Sequence, residues 1–448
     1  MRKPATAPDF AQLIQDLSPD TYPWVTANIN PLIGGRYLHW DELRYRPAPD
    51  NASKEAWWAS IQLGRAALLQ ELPLFDKAGR AFRFATPAPV LIALHHIDRD
   101  AAGQIHSPAG APIREEPQRY LINSLIEEAI TSSQLEGAST TRQVAAAMLK
   151  SGRRPRDHSE KMIFNNYRAM EHLSEIKNDA LTPALILELH RILSEDTLND
   201  PADAGRLRQS DDIRVVAPRD GTILHEPPAH AELPLRLQRL CDFANADENA
   251  SPFVHPVLRA ILLHFMIGYD HPFVDGNGRT ARALFYWSIA RSGYWLMEYT
   301  SISHIIRRAP AKYMRAYLHS ESDNNDSTYF LLHQLTTIRQ AIAALHEYLD
   351  RKSREQKETE KLLAASVSLR SRFNNRQTAL LNHALRNSGT EYRVDAHQRS
   401  HNVVYQTARS DLLSLHELGL LIKTKQGNAY VFYAPENLRE LLAELAKE

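Results

Sequence analysis

One short segment between two apolar helical stretches constrains both the fold and the chemistry of this chain. Residues 271–282 read His-Pro-Phe-Val-Asp-Gly-Asn-Gly-Arg-Thr-Ala-Arg. Upstream, residues 256–268 have the apolar spacing of a buried helix, and downstream, residues 280–290 are apolar without a helix breaker. We therefore expect two helices joined by a loop. The Gly-Asn-Gly run opens the second helix, where free backbone N–H groups favour an anion.

The residue types in this segment suit phosphate chemistry. Arg279 and Arg282 lie about one helical turn apart and are fork-shaped cations that pair with phosphate. Asp275 offers hard oxygen ligands of the kind that Mg²⁺ accepts. His271 carries an imidazole whose ordinary pKa is near neutrality. A glycine turn alone would indicate only a helix corner, but a phosphate cradle, a metal ligand and a base in one loop predict phosphoryl or nucleotidyl transfer.

The segment resembles the signature of Fic-domain proteins, HPFx[D/E]GNGRxxR, with every fixed position present. The resemblance implies an all-α core and transfer of AMP from ATP, with Mg²⁺, to a Ser, Thr or Tyr hydroxyl of a protein. By the same resemblance, His271 is the base that deprotonates the target hydroxyl, and Asp275 holds Mg²⁺. The remaining positions would bind the triphosphate: Gly276, Asn277 and Gly278 as an anion hole for the α- and β-phosphates, Arg279 near the β-phosphate and Arg282 at the γ-phosphate.

A second short motif lies upstream. Residues 119–137 have helical apolar spacing, and Gly137 suits a helix stop. Ser132 and Glu136 lie four residues apart and therefore share a helix face. By itself this would indicate only an exposed glutamate near a helix end. However, Ser132-x-x-x-Glu136-Gly137 resembles the inhibitory motif [S/T]xxxE[G/N] of the Fic subgroup that carries it N-terminal to the core. The resemblance implies that Glu136 pairs with Arg282 and keeps the γ-phosphate from seating productively.

A third segment has the pattern of a β-hairpin. Residues 213–216 and 223–226 read as two short strands around a Pro/Asp/Gly turn, and Val215, Val216 and Ile223 are the expected strand residues. An ordinary surface hairpin would have the same pattern. In the proteins that the signature resembles, a hairpin at this place, called the flap, clamps the target segment by strand addition.

Composition limits the classes of protein to consider. The chain has 448 residues, 43% of them hydrophobic, and no net charge, so we expect several cores and no general attraction to nucleic acid or acidic lipid. Cys241 is the only cysteine, which excludes an intrachain disulfide and suits a buried small hydrophobe in a cytoplasmic protein. We see no signal-peptide pattern and no uncharged apolar run of about eighteen residues, so we expect no membrane span.

The chain divides by pattern into four parts. The first is rich in proline and tryptophan, with helices predicted over 55–72 and 87–98 and a connector over 103–116. We therefore expect a mainly α fold, with a Fic-type helical core and a β-hairpin flap between a helical N-terminal region and a C-terminal winged-helix-like domain. The expected bounds are 1–115 for the N-terminal region, 116–345 for the core with the inhibitory helix, 346–369 for a connecting helix and 370–448 for the last domain.

The last domain suggests a second kind of function. Helices predicted over 376–386 and 404–418, with a turn at 387–389, precede a hairpin of residues 420–423 and 429–433, and this order resembles a winged helix. Polar residues that open the second helix could reach a DNA groove. The local charge is mixed, so a winged helix that serves protein contact or dimerisation remains an equal alternative. The polar residues are Tyr405, Gln406, Thr407, Arg409 and Ser410.

Two classes of function therefore remain. The first is a protein adenylyltransferase that uses ATP and Mg²⁺, acts on a protein with an exposed hydroxyl and is inhibited by its own N-terminal helix. The second is a DNA-binding regulator in which the Fic core is secondary. The complete signature favours the enzyme. The sequence leaves open another nucleotide, removal of AMP, self-modification and a homodimer.

Overall fold

The computed structural model divides into two compact units, residues 1–345 and residues 346–448. The predicted connector over 103–116 and the turn predicted at 387–389 lie outside the residues that it describes, and the four-part division stays a prediction. The described residues are 2–101, 117–217, 220–365, 372–386, 390–426, 429–435 and 437–445.

The N-terminal part of the first unit combines helices with a β-hairpin. Trp58 is fully buried and packs in one cluster with Val25 and Leu43, so the tryptophan-rich segment forms a core. The elements are α1 (Phe10–Asp16), α2 (Tyr22–Ala27), α3 (Trp40–Leu43), α4 (Lys54–Ala66), β1 (Gln70–Phe75), β2 (Ala81–Phe84) and α5 (Ala88–Ala101).

The hairpin corrects the expected helix over residues 55–72. Helix α4 ends at Ala66, and β1 begins at Gln70. Leu72 and Leu74 are buried while Pro73 between them is exposed, which is the two-residue period of a strand. The turn that follows contains Gly79 in the left-handed region, with φ of 78°. This short alternation was the signal that the helical interpretation overlooked.

A bundle of helices makes up the rest of the first unit. Its elements are α6 (Pro117–Leu135), α7 (Arg142–Ser151), α8 (His158–Ile176), α9 (Pro183–Ser194), β3 (Val215–Val216), β4 (Ile223–His225), α10 (Leu233–Asn245), α11 (Pro256–Asp270), α12 (Asn277–Arg291), α13 (Ile302–Arg308) and α14 (Pro310–Ser322). Helix α11 packs against α12, and both are buried along most of their length. Helices α8 and α9 cover α12, and α6 lies along α8. A long helix, α15 (Thr328–Ala365), begins in the first unit and continues into the second.

The second unit combines helices with a three-stranded antiparallel sheet of order β5-β7-β6. The two predicted helices and the predicted hairpin are confirmed. Strand β5 and helix α17 were not predicted. Strand β5 has only three residues, and its pairing partner, β7, lies far along the chain. The winged-helix assignment stays a prediction. The elements are α16 (Asn375–Arg386), β5 (Glu391–Arg393), α17 (Val394–His401), α18 (Tyr405–Glu417), β6 (Ile422–Gln426), β7 (Ala429–Tyr433) and α19 (Leu438–Leu445).

Two further observations concern the chain as a whole. Cys241 is buried in α10, as predicted, and burial raises the pKa of its thiol to about 12, so the sulfur is not a ready nucleophile. Throughout the part of the chain that the structure describes, helices are too short or too polar to cross a bilayer.

Candidate active site

The loop between α11 and α12 is bracketed by two residues with left-handed backbone conformation. His271 follows the last residue of α11 with φ of 45° and ψ of 57°, and its N–H donates to the carbonyl of Ile267 (3.1 Å). Gly276 caps the start of α12 with φ of 82°. A non-glycine residue with positive φ is unfavourable unless its surroundings hold it there. The chain therefore turns at both ends of this loop, where α11 ends and where α12 begins.

The side chain of Asn277 closes this loop from within. Its Oδ1 accepts from the Phe273 N–H (2.9 Å), and its Nδ2 donates to the Phe273 carbonyl (2.8 Å). Thr280 donates its hydroxyl to the Gly276 carbonyl (3.0 Å). The amide of Asn277 is therefore occupied by the loop, and what this residue offers an anion is its backbone N–H at the helix start.

His190 on α9 supports the loop, and sequence reasoning did not find it. Its Nδ1 accepts from the Gly205 N–H (3.0 Å), so its Nε2 carries the proton and donates to the Asp275 carbonyl (2.8 Å). The ring stacks on Phe273 with centroids 3.7 Å apart. Burial lowers the pKa of His190 to about 4, so the ring is neutral near pH 7. A lone histidine on a buried helix face carries no sequence signal for this role.

The side chain of His271 has the arrangement of a base. Its Nδ1 lies 3.3 Å from the Gly268 carbonyl, which assigns the proton to Nδ1 and leaves the Nε2 lone pair available. Burial lowers the pKa of His271, and the Gly268 carbonyl partly opposes this. A neutral imidazole with a free Nε2 near pH 7 can accept a proton from a hydroxyl.

Arg279 is a buried cation with unused hydrogen-bond donors. Its Nη1 donates to the Leu193 carbonyl (2.8 Å), whereas its Nε and Nη2 are buried and have no hydrogen-bond partner among the described residues. Oδ2 of Asp275 lies 3.7 Å from Nη2, which is close enough for an ion pair but too far for a hydrogen bond. Buried donors without acceptors are costly, so the site suits an anion that supplies acceptors.

Arg282 joins the first turn of α12 to the end of α6. Its Nε donates to the Ser132 hydroxyl (2.8 Å), and its Nη2 donates to the Ser132 carbonyl (3.0 Å) and to Oε1 of Glu136 (2.8 Å). Burial alone would lower the pKa of Arg282, but the Glu136 carboxylate helps to raise it above the ordinary value. The structure therefore brings together the three residues that the two sequence motifs placed far apart.

The Glu136 carboxylate also lies over the glycine that follows Asn277. A Cβ on Gly278 would lie 2.1 Å from Oε1 of Glu136, so the carboxylate occupies the space above the helix start. Helix α6 ends one residue earlier, at Leu135, and Gly137 has φ of 99°, which confirms the predicted helix stop. An anion at this position is favoured by the N-terminus of α12. The carboxylate thus stands where a phosphate would be attracted.

Asp275 is the one residue of the loop with a largely exposed carboxylate. Its side chain is 56% exposed, and its Oδ1 accepts from the Gly276 N–H (2.6 Å). Among the residues that the structure describes, there is no group of three or more His, Cys, Asp or Glu side chains that could hold a metal by itself. A single exposed carboxylate fits Mg²⁺, because this ion is commonly held by one or two carboxylates together with water and substrate phosphates.

The predicted flap strands are confirmed as strands. Val215 pairs with His225 and Val216 pairs with Ile223 in antiparallel register; the turn residues 218–219 lie outside the described residues. Val216 and Ile223 are 47% and 38% exposed, so the hairpin presents apolar side chains to solvent. His225 hydrogen-bonds through Nε2 to the Tyr269 carbonyl (2.7 Å), which ties β4 to the end of α11.

Comparison with known proteins agrees with this geometry. Residues 180–289 match the model of the Fic/DOC family. The chain is 31% identical over 198 residues to "Protein adenylyltransferase Fic" of Drosophila melanogaster and 29% identical over 199 residues to the protein of the same name from Culex quinquefasciatus. Each match covers 44% of this chain and 37% of the relative, so the chain spans well under half the length of these curated relatives.

A solved structure gives the fold. The crystal structure of a Fic family protein from Desulfovibrio desulfuricans G20 superposes with a TM-score of 0.50 at 18% identity, over 78% of this chain and 97% of that chain. The expected fold class, mainly α with a Fic-type core, is confirmed. The loop at 271–282 lies within the residues that match the Fic/DOC family model.

Proposed function

We propose that this chain is a protein adenylyltransferase that transfers AMP from ATP to a Ser, Thr or Tyr hydroxyl of a protein. The proposal is carried by the presence of two groups in one loop. Nε2 of His271 is available to accept a proton, and the buried Nε and Nη2 of Arg279 lack hydrogen-bond acceptors among the described residues. A base and an unsatisfied buried cation in one loop suit a hydroxyl and a polyphosphate. The relatives named above carry the name of this activity.

Each group of the loop and of the start of α12 has a separate role in the transfer of AMP. Nε2 of His271 accepts the hydroxyl proton as the oxygen attacks the α-phosphorus; an O–P bond forms, and the bond from the α-phosphorus to the bridging oxygen breaks. Backbone N–H groups at the start of α12 and the guanidinium of Arg279 stabilise the charge of the departing pyrophosphate. Asp275 would hold Mg²⁺, which when bound neutralises phosphate charge.

The proposal includes autoinhibition of the subgroup with an N-terminal inhibitory helix. Glu136 uses the Nη2 of Arg282 that a γ-phosphate would need, and its carboxylate stands above Gly278. Two anions cannot share this place without repulsion. ATP therefore binds productively only when Glu136 moves away or is removed, and Ser132 holds Arg282 in position meanwhile.

The protein substrate would contact the flap. Strand β3 and strand β4 present the exposed side chains of Val216 and Ile223 near the catalytic loop. An extended target segment can add to such a hairpin through main-chain hydrogen bonds, which places its hydroxyl by backbone position. The same geometry accepts a segment of a second copy of the chain, so self-modification is the simplest readout.

The test compares wild type, Glu136→Gly and Glu136→Gly/His271→Ala after incubation with ATP and Mg²⁺, by intact mass spectrometry. We expect AMP adducts on Glu136→Gly, far fewer on wild type, and a rate about two to four orders of magnitude lower in the double variant. Adducts from GTP, CTP or UTP in place of ATP would indicate another nucleotide. Loss of AMP from an already modified protein would indicate the reverse reaction. Equal labelling with and without His271 refutes the proposal.

The pKa of His271 gives the same proposal a pH test. Because burial lowers this pKa below its ordinary 6.5, the base form is already dominant at pH 6.5. We expect the transfer rate of Glu136→Gly to fall at acidic pH, with the midpoint of the fall below pH 6.5. The groups that face the ring are His225, Glu136 and Arg208. A rate that already declines between pH 8 and pH 7 contradicts the assignment of His271.

A second candidate function belongs to the second unit, where one observation favours contact with DNA. Asp411, an acidic residue of α18, is buried and accepts hydrogen bonds from Arg376 (2.7 Å) and His397 (3.2 Å). Among the described residues of the first two turns of α18, the exposed side chains are therefore neutral or basic. They are Tyr405, Gln406, Arg409 and Ser410.

Binding of labelled duplex DNA at several salt concentrations, measured by fluorescence anisotropy, tests this second candidate. Arg409→Ala should weaken binding and lower the salt slope by about one, because it removes one phosphate contact. Arg399→Ala is the control, since Arg399 already pairs with Asp395 (3.1 Å). Absence of a salt-sensitive complex with wild type removes DNA binding and leaves protein contact as the role of this surface.

A further inference from the structure

Arg208 contacts the loop between α11 and α12, residues 271–276, which we call the catalytic loop. Its side chain is almost completely buried. Its Nε donates to the His271 carbonyl (2.9 Å), and its backbone N–H donates to the Pro272 carbonyl (2.9 Å). Its Nη1 donates to the Ser210 carbonyl (2.8 Å), and its Nη2 donates to the Pro228 carbonyl. One guanidinium therefore joins three separate pieces of main chain.

These pieces are the catalytic loop and the two ends of the flap segment. Residues 210 and 228 flank strands β3 and β4 on either side. Asp211 strengthens the same junction, because its Oδ1 accepts from Nη1 of Arg208 (3.0 Å) and from the His230 N–H (2.7 Å). The base of the flap is thus closed around Arg208, and the closed base is bonded to the residue proposed as catalytic base.

The junction matters because His271 has an unfavourable backbone conformation. A histidine at φ of 45° keeps that conformation only when the groups around it hold it in place. The carbonyl of His271 accepts from Arg208, whereas within the described part of the chain its ring makes a single, longer contact, from Nδ1 to the Gly268 carbonyl (3.3 Å). The direction of Nε2 therefore depends on the position of the main chain.

We propose that Arg208 is a positioning residue that holds His271 in line with the hydroxyl and fixes the flap relative to that base. The inference rests on the proposed adenylyl transfer and extends it to a residue outside both sequence motifs. Arg208 thus connects the flap, where a target segment would bind, to His271, which would accept the proton of the target hydroxyl. It is separate from the phosphate-binding residues of α12, so its loss leaves nucleotide binding in place.

The experiment uses the full chain with Glu136→Gly as parent, and compares Arg208→Gln and Arg208→Lys. We expect the self-modification rate at saturating ATP to fall about tenfold to a hundredfold in Arg208→Gln, since misplacement of a reacting group by about 1 Å has such an effect. The half-saturating ATP concentration should stay within about twofold. Lysine keeps the charge but loses the planar fork, so Arg208→Lys should recover part of the rate.

A pH profile separates positioning from a general loss of structure. The charge of Arg208 is one of the groups that lower the pKa of His271, together with His225. The acidic limb of the pH–rate profile should therefore shift to higher pH in Arg208→Gln and coincide with that of the parent in Arg208→Lys.

Arg65→Lys is the matched control, because Arg65 is equally buried and pairs with Asp323 (3.6 Å), away from the loop at 271–276. It should lower the melting temperature without changing the rate per folded molecule.

The outcomes are distinct. If both Arg208 variants keep the parent's rate at saturating ATP, or if rate and ATP affinity fall together as in a partly unfolded protein, the inference is wrong. If Arg208→Gln does not fold, the comparison of Arg208→Lys with Arg65→Lys tests the inference. A lower rate per folded molecule in Arg208→Lys supports it, and equal rates contradict it. If the Glu136→Gly parent transfers no AMP, both the proposed function and the inference are wrong. If the parent transfers AMP and replacing Arg208 does not change its rate, the inference alone is wrong.

Discussion

Oε1 of Glu136 lies 2.8 Å from Nη2 of Arg282, although 146 residues separate the two along the chain. The arginine side chain is 3% exposed and the glutamate side chain 26% exposed, so the pair is shielded on one side and open on the other. A half-open ion pair is strong enough to hold a helix end and weak enough to be displaced by a competing anion. This arrangement suits regulation better than permanent structure.

Removing the Glu136 carboxylate should tighten ATP binding. A hydrogen bond to a charged group is worth about 1.5–3 kcal/mol, so we expect Glu136→Gly to bind ATP about tenfold or more tightly in calorimetric titration. Glu136→Gly/Arg282→Ala should lose the gain. Glu127→Gln is the control, because Glu127 is also on α6 but pairs with Arg142 (2.6 Å). Equal ATP affinity of wild type and Glu136→Gly rules out the competition.

Replacing Asp275 should change the metal requirement and little else. In the Glu136→Gly background, Asp275→Asn should raise the half-saturating Mg²⁺ concentration about tenfold or more, because the loop loses its exposed carboxylate ligand. The rate as a function of Mg²⁺ at fixed ATP measures this. Asp242→Asn, an exposed change on α10, should leave the curve unchanged. The same Mg²⁺ curve for Asp275→Asn and its parent would remove Asp275 as a ligand.

Arg279 should matter more for ATP than for folding. Its buried Nε and Nη2 lack hydrogen-bond partners among the described residues, so Arg279→Met removes an incompletely compensated buried charge. In the Glu136→Gly background, we expect ATP affinity to fall about tenfold or more while the melting temperature of the ligand-free protein is held or raised. Arg291→Met, at the other end of α12, should leave ATP affinity unchanged. A large loss of thermal stability with unaltered ATP affinity would assign Arg279 a structural role instead.

His190 should make stability depend on pH. Its pKa is about 4 in the folded chain and near 6.5 when unfolded, so between these values the unfolded chain binds the additional proton. Its stabilising contribution is complete above pH 6.5 and is lost as the pH falls through about 4. The full effect is on the order of 3 kcal/mol. Urea unfolding of wild type and His190→Gln at pH 7 and pH 5 should give free energies that converge at the lower pH.

The control for this pH effect is His95→Gln, which changes an exposed histidine of α5. Its difference from wild type should be the same at both pH values. Other histidines whose pKa values are lowered by burial, among them His39, His264, His319 and His333, contribute to both proteins equally and cancel in the comparison. A constant gap between wild type and His190→Gln from pH 7 to pH 5 would contradict the role of His190.

Much of the site could be predicted because its parts are local in sequence. The Asn277 side chain bonds to Phe273 four residues away, and His271 caps the helix that precedes it. Ser132 and Glu136 are four residues apart, and the flap strands are neighbours joined by a short turn. Helical spacing, glycine stops and strand alternation act over a few residues, so a linear pattern records them. The β1–β2 hairpin was also local, but its alternation was short enough to be taken for the end of a helix.

The residues that the sequence could not point to act across long separations. Arg208 reaches the His271 carbonyl over 63 residues, and His190 reaches the Asp275 carbonyl over 85. Lys77, in the turn after β1, donates its backbone N–H to the Tyr269 hydroxyl (3.1 Å) over 192 residues. An arginine or a histidine on a buried surface has the same local pattern whether it supports a catalytic loop or an ordinary core. The sequence by itself determined the mainly α fold, and it predicted the roles of the loop at 271–282 and of the motif that contains Ser132 and Glu136. Which buried side chains hold that loop was decided only by the packing of distant segments, because that packing alone brings their donors and acceptors within hydrogen-bond distance.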